Sequence, residues 1–233
     1  NDRYRARLVE HFGRAVLEDE SRVLNAVSSA IASFERSAEF ASFDSKYDRY
    51  LIGDYTMTRE EALGRELFFS DLINCVQCHV NDPGKIAVRE TFTNHRYHNI
   101  GVPVNLSARA ANGLGATHKD LGLLENPVVS DSRHAGKFRV PTLRNVAVTA
   151  PYMHNGAFRD LETAVLFYGK YMLTNRPSQI NPETGTRWRD AEVPETIDLE
   201  ILSDGQPLDA KRAASIVAFL RTLTDQRYEH LLE

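Results

Sequence analysis

The sequence has very little cysteine: two residues in 233, and both stand in one short motif at Cys75 and Cys78. No thiol is left over for a structural disulfide elsewhere. Long hydrophobic runs are also missing. No apolar stretch reaches the roughly 18 residues that a bilayer span requires, which excludes a transmembrane helix. Positive charge is not in excess, with 28 Lys and Arg against 32 Asp and Glu for a net charge of −4, so there is no electrostatic footprint for nucleic acid. There is no internal repeat or low-complexity segment. A signal peptide is not seen, because Asn1-Asp2-Arg3-Tyr4 leads directly into charged, helix-like sequence. The first residue is not Met, which is expected of a processed product or a fragment. The hydrophobic share, 42%, suits one sizeable domain or two small ones sharing a core.

Both cysteines belong to Cys75-Val76-Gln77-Cys78-His79. C-x-x-C-H is the haem-attachment signature: two thiols add to the haem vinyl groups while the adjacent imidazole reaches the iron. A structural zinc site would need a second closely spaced pair of ligands, and no other cysteine exists. His95 and His98 would complete only a one-sided arrangement of unusual order. A thioredoxin-like dithiol would sit in a βαβ context, which the sequence does not offer. The motif therefore predicts one haem c in this chain, with His79 as proximal ligand. Covalent haem attachment implies an oxidising compartment, and a bacterial periplasm is the expectation.

The rest of the chain reads as mainly α: a c-type cytochrome domain with long irregular loops around the haem. Val23, Val27, Ile31 and Phe34 recur at helical spacing between Ser21 and Ser37, after a shorter helix from Tyr4 to Phe12. Thr58-Arg59-Glu60-Glu61 is a capping box, followed by Ala62, Leu63, Leu67 and Phe68 on one face. That helix delivers the chain to Cys75. The stretch from Asn81 to about Arg139 is rich in Asn, Gly, His and Pro and predicts an irregular wrap. Asp160 can N-cap a helix through Leu161, Val165, Leu166 and Tyr168. Residues from Leu208 to Thr224 read as a closing amphipathic helix with Ile216, Phe219, Leu220 and Leu223 inward.

The sixth position of the iron decides its chemistry. Methionine or a second histidine favours electron transfer, tyrosinate stabilises ferric iron, and an open site admits peroxide. Met57, Met153, Met172, seven further histidines and several tyrosines are candidates. Spacing does not choose among them, since Met and Tyr at helical spacing usually serve as core.

Several stretches resemble the bacterial dihaem cytochrome c peroxidase and MauG family. Gly64-Arg65-Glu66-Leu67-Phe68-Phe69, followed by the Cys75–His79 motif, is similar to the lead into that family's second, C-terminal haem. Phe92-Thr93 and Tyr97-His98-Asn99-Ile100-Gly101-Val102-Pro103 resemble the next segment. The most specific likeness is Phe138-Arg139-Val140-Pro141-Thr142-Leu143-Arg144-Asn145-Val146 with Thr149-Ala150-Pro151-Tyr152-Met153-His154-Asn155-Gly156. Upstream, Ala32-Ser33-Phe34-Glu35-Arg36 and the stretch from Phe43 to Leu51 are similar to the connection out of the first haem domain. Ala218-Phe219-Leu220 resembles the closing helix.

The resemblance implies that Tyr168 is the distal iron ligand, at the position that is Met in ordinary peroxidases and Tyr in MauG-like members. It implies calcium bound by the backbone carbonyls of Thr149 and Pro151. It puts Arg144, His98 and His154 forward as haem-propionate partners, with a structural role in their turns left open for each. Residues 1–56 would form a helical connection from an N-terminal haem domain, and residues 57–233 the C-terminal c-type haem domain. The peroxidatic haem of the family, with its own C-x-x-C-H, has no counterpart here. The implied partners are therefore an N-terminal haem domain or second haem-bearing chain, a redox partner protein and hydrogen peroxide. The resulting expectation is the electron-transfer portion of a periplasmic peroxidase or MauG-like oxidoreductase, its catalytic haem elsewhere; the alternative is a stand-alone monohaem electron carrier. Ile73 stands in the neighbourhood where family members that oxidise a protein partner carry a surface Trp, which argues against a third reading, a protein-modifying oxidase acting on a dedicated partner. Trp188, in a polar stretch, reads as a surface anchor.

Overall fold

A computed structural model describes residues 1–37, 39–40, 42–82, 89–115, 117–172 and 177–232. The chain divides into two compact units, Asn1–Phe43 and Asp44–Glu233. In the first, α1 (Asp2–Phe12) begins at Asn1, whose side chain accepts from the Arg3 amide. A 3₁₀ turn at Arg14–Leu17 follows, then α2 (Glu20–Glu35), capped by Asp19. Both caps satisfy amides that a helix start otherwise leaves unpaired.

The second unit is built around two helices, α4 (Arg59–Phe69) and α8 (Ala210–Arg221). The capping box at the start of α4 forms in both directions. The Glu61 amide donates to Thr58 Oγ1 at 3.2 Å, and the Thr58 amide donates to Glu61 Oε2 at 2.8 Å. The two helices approach closely at Gly64, where an added Cβ would overlap the Ser215 carbonyl oxygen on α8. Ile216, Phe219, Leu220 and Leu223 are buried as their spacing predicts. They join Phe68 of α4, Phe92, and Tyr47 of α3 (Lys46–Leu51) in one core cluster. Each such side chain contributes about 1.5–3 kcal/mol by leaving water. The helix α3 belongs to this unit: the Tyr47 amide donates to the Thr222 carbonyl at 2.9 Å.

A second cluster gathers Val102, Tyr152, Phe158, Phe167 and Trp188 behind α6 (Leu161–Met172). Trp188 therefore corrects the sequence reading. It is buried against Phe158 and Phe167, at ring separations of 5.6 and 5.3 Å, with its Nε1 donating to the Ser178 carbonyl at 2.8 Å. An indole can sit in a polar stretch and still be core when its one donor is satisfied.

Between Asn81 and Arg139 the described residues are mostly irregular, with residues 83–88 and 116 outside the description. Two pieces of order stand out. β1 (Tyr97–His98) pairs antiparallel with β2 (Phe138–Arg139), His98 opposite Phe138. α5 (Leu106–Asn112) starts at an Asn105 cap and ends at Gly113 with φ of 75°. It is one short helix within the irregular wrap, since two turns are too short to display a hydrophobic period in the sequence. The short helix α7 (Leu199–Ser203) precedes α8. Among the described residues no helix is long and apolar enough to cross a membrane.

Candidate cofactor site

The helix α4 ends at Phe69, and residues 70–74 lead from it to the attachment motif. Asn74 takes a left-handed conformation (φ 61°) that turns the chain into a 3₁₀ turn, Cys75–Gln77. The His79 amide donates to the Cys75 carbonyl at 2.9 Å, closing the turn. Both thiols and the imidazole thus project from one tight turn onto a cavity of about 440 Å³. One wall is a stripe of α6: Leu161, Val165, Tyr168 and Met172 all line it. Their separations of three and four residues put them on a single helix face. Most of the remaining lining is apolar, including Phe68, Ile73, Val140 and Leu143. The enclosure lies in the size range of small-molecule sites.

His79 is oriented by its backbone surroundings. Its Nδ1 lies 2.8 Å from the Phe92 carbonyl oxygen, and a carbonyl only accepts, so Nδ1 carries the proton. Nε2 is left with its lone pair. Burial pushes the imidazole down to about 4; the Phe92 carbonyl pulls the other way and the nearby His98 adds to the lowering. The ring is therefore neutral near pH 7, with the Nε2 lone pair available as a donor. Both thiols are partly buried and line the cavity. Burial pushes the Cys75 thiol up to about 12 and raises Cys78 as well. Among the described residues nothing hydrogen-bonds the Tyr168 hydroxyl, and burial, reinforced by the neighbouring thiols, raises its phenol above the ordinary tyrosine value. A cation bound nearby would reverse that direction by favouring the phenolate.

The other nominated residues fall in different places. His98 lines the cavity, its Nδ1 donating to Asp198 Oδ2 at 3.0 Å while its buried Nε2 has no partner. Asp198 also accepts from Lys137 Nζ at 2.9 Å. Asn99 lines the cavity as well, with its amide side chain donating to Val193 and Thr196. His154 lines it too, stacked on Phe138 at 3.5 Å between centroids and 7° between planes. Burial lowers the His154 pKa, opposed by Asp120 and Glu192. Thr149 and Pro151 border the cavity, on either side of a cis Ala150–Pro151 bond. Met153 and Met172 also border it, whereas Met57 packs on the core cluster. Arg144 is not among the lining residues; its NH1 donates to Asp48 Oδ2 at 2.6 Å and its Nε to the Glu90 carbonyl at 2.9 Å. His95 is engaged by Arg139 at 3.0 Å. Among the described residues, no group of three His, Cys, Asp or Glu side chains converges as an ion site.

The donors present fit a haem c. They are two thiols on one turn, an imidazole with its tautomer fixed, a phenol with no hydrogen bond among the described residues, and an orphaned His98 nitrogen, all on an apolar cavity. Sequence reasoning missed Asp198, Phe92 and Phe138. Asp198 lies 100 residues from His98 and carries no local signal of the pairing.

The chain is 50% identical over 230 residues to the methylamine utilization protein MauG of Paracoccus denitrificans (strain Pd 1222), covering 99% of this chain and 59% of that protein. The two are homologous over that span. The cytochrome-c peroxidase IdrP2 of Pseudomonas sp. (strain SCT) is 33% identical over 167 residues, 64% of this chain and 40% of that protein. Among solved structures, the dihaem peroxidase BthA of Burkholderia thailandensis E264 matches with a TM-score of 0.73 and 30% identity, over 96% of this chain and 56% of the other. A MauG-like protein associated with microbial copper homeostasis matches with a TM-score of 0.60 and 28% identity, over all of this chain and 63% of the other. No family model matches the chain. The chain thus has the helical fold of the dihaem peroxidases and spans 59% of the MauG relative's length.

Proposed function

We propose that this chain holds one haem c on Cys75 and Cys78, with His79 as proximal and Tyr168 as distal iron ligand. In this reading it is the electron-transfer portion of a periplasmic dihaem peroxidase or MauG-like oxidoreductase whose oxidant is hydrogen peroxide. The observation that carries it is that both thiols, His79 and Tyr168 open onto a single apolar cavity. A haem c held there supplies one-electron chemistry at iron. The chain's residues do the rest. Cys75 and Cys78 fix the macrocycle at two points, and His79 offers Nε2 because Nδ1 is committed to Phe92. Tyr168 offers an anionic oxygen once its proton is lost, which favours the oxidised metal. His98, its Nδ1–H committed to Asp198 and its Nε2 unpartnered, would meet a propionate as the imidazolium, donating Nε2–H. His154, stacked on Phe138, is a second propionate partner. The backbone carbonyls of Thr149 and Pro151 are the oxygen donors for a calcium ion at the cavity's border.

In this reading residues 1–43 belong to the connection from a further haem domain, and the unit Asp44–Glu233, which takes in α3, carries this haem. Peroxide turnover, the peroxidatic haem and a redox partner protein all lie with that larger assembly. The test is the haem content of the native assembly, read together with the absorption and EPR spectra of wild type and Tyr168→Phe. Two haems per assembly, peroxide consumption, and a ferric spectrum altered by Tyr168→Phe are expected. One haem with no peroxide turnover would instead identify a monohaem carrier. An unchanged spectrum in Tyr168→Phe would remove Tyr168 as ligand.

A further inference from the structure

His79 is oriented by the carbonyl of Phe92, and that carbonyl is itself held in an unusual place. Phe92 is fully buried, yet its backbone is left-handed at φ 54°, a conformation that a bulky side chain adopts only under constraint. The constraints come from both sides. Thr142 Oγ1 donates to the Thr91 carbonyl at 2.7 Å, and Thr93 Oγ1 donates to the Val140 carbonyl at 2.7 Å. The Asn94 amide donates to the Cys78 carbonyl at 2.9 Å, tying the same segment to the attachment turn. Arg144 grips it most extensively. Its Nε donates to the Glu90 carbonyl at 2.9 Å, and its guanidinium lies 5.3 Å from the centre of the Phe92 ring. The other arm of the same guanidinium donates to Asp48 Oδ2 at 2.6 Å. Asp48 is in turn fixed by Ser45, whose amide donates to it at 3.0 Å and whose hydroxyl donates at 2.5 Å. Both members of the ion pair are almost completely buried, with 8% and 4% of their side chains exposed.

We infer that the Asp48–Arg144 pair, seated outside the cavity, is a positioning pair for the proximal histidine. It holds residues 90–92 so that the Phe92 carbonyl meets His79 Nδ1, and it thereby sets how strongly His79 donates to iron. A rigid anchor suits this task. The guanidinium is planar, permanently charged and forked, so one arm takes the carboxylate while another takes a carbonyl. A hydrogen bond accepted from Nδ1–H makes the imidazole a stronger donor and stabilises ferric iron, so slackening it raises the reduction potential. The inference rests on the proposed haem attachment. It assigns Arg144 a role different from the propionate contact that the family resemblance put forward.

Three variants of the haem-loaded protein test it, each measured for haem content, melting temperature, midpoint potential and ferric spectrum. Arg144→Lys keeps a cation opposite Asp48 but lacks a second arm for the Glu90 carbonyl. Thr142→Val cuts the neighbouring tie to Thr91, together with the bond that the Arg144 amide donates to Thr142 Oγ1 at 3.1 Å, and keeps both charges of the ion pair. Arg49→Gln breaks the Arg49–Glu229 pair at 2.5 Å on the same helix, one residue from Asp48, without touching residues 90–92. Arg144→Lys and Thr142→Val are expected to shift the midpoint potential upward, Arg144→Lys further, while haem content holds. Arg49→Gln is expected to lower the melting temperature and leave the potential unchanged. An unchanged potential in both Arg144→Lys and Thr142→Val, or an equal shift in Arg49→Gln, would overturn the positioning role. If Arg144→Lys does not fold, Thr142→Val and Arg49→Gln decide alone. Wild-type protein that never acquires haem would count against the attachment itself, a separate outcome.

Discussion

His79 depends on an atom of another residue, the Phe92 carbonyl oxygen, as much as on its own place in the attachment motif. The motif was fully legible in the sequence, because two cysteines and a histidine at fixed spacing need no tertiary context to be recognised. The acceptor was not, because a backbone carbonyl has no signature and any residue type can supply one. Asp198 is the same kind of case. Burial alone would raise its carboxyl pKa, but hydrogen bonds from Lys137 and His98, and the Lys137 charge, outweigh burial and leave it below the usual value. A carboxylate depressed in the fold stabilises above its unfolded pKa of about 4 and loses that contribution as pH falls through the folded value. Wild type should therefore melt higher than Asp198→Asn near neutral pH, and the gap should close on acidification. A gap that does not narrow at all on acidification would show that the charge of Asp198 is not what stabilises.

At the scale of elements, the helices that carry caps and long apolar stripes were readable, and the short or tertiary-dependent ones were not. The Thr58 capping box and the inward row of α8 behave as their sequences specify. The stripe on α6 was readable too, but as a buried face; only the fold turns it toward a cavity instead of a packed core. The Asp48–Arg144 pair joins positions 96 residues apart and could not be foreseen from either end. Helix pairing gives a sharp prediction at Gly64. Gly64→Ala improves helix propensity in isolation, yet its Cβ would overlap the Ser215 carbonyl, so α4 and α8 must separate. Overpacking of this kind costs about 1–3 kcal/mol. Chemical denaturation should show a loss of that order, and a neutral or stabilising Gly64→Ala would mean that the two helices do not meet so closely.

For the molecule as a whole, homology along 99% of the chain and the helical fold of the dihaem peroxidases agree with the cavity's chemistry. The compact unit from Asp44 to Glu233 contains every nominated site residue, from Cys75 to Tyr168. Its two core clusters pack α4, α6 and α8 around the cavity, so the thiols, His79 and Tyr168 are carried on elements that the core itself fixes. Such a scaffold explains how a loop-rich stretch can hold a rigid site: the loops are pinned at β1–β2, at Thr93 and at Arg144. The central claim is covalent haem attachment, and it is tested most directly by the denatured intact mass of the chain matured in a host that attaches c-type haem. The account predicts the mass of the polypeptide plus one haem, lost in a Cys75→Ala, Cys78→Ala double variant. A wild-type chain of bare polypeptide mass under the same conditions would contradict it.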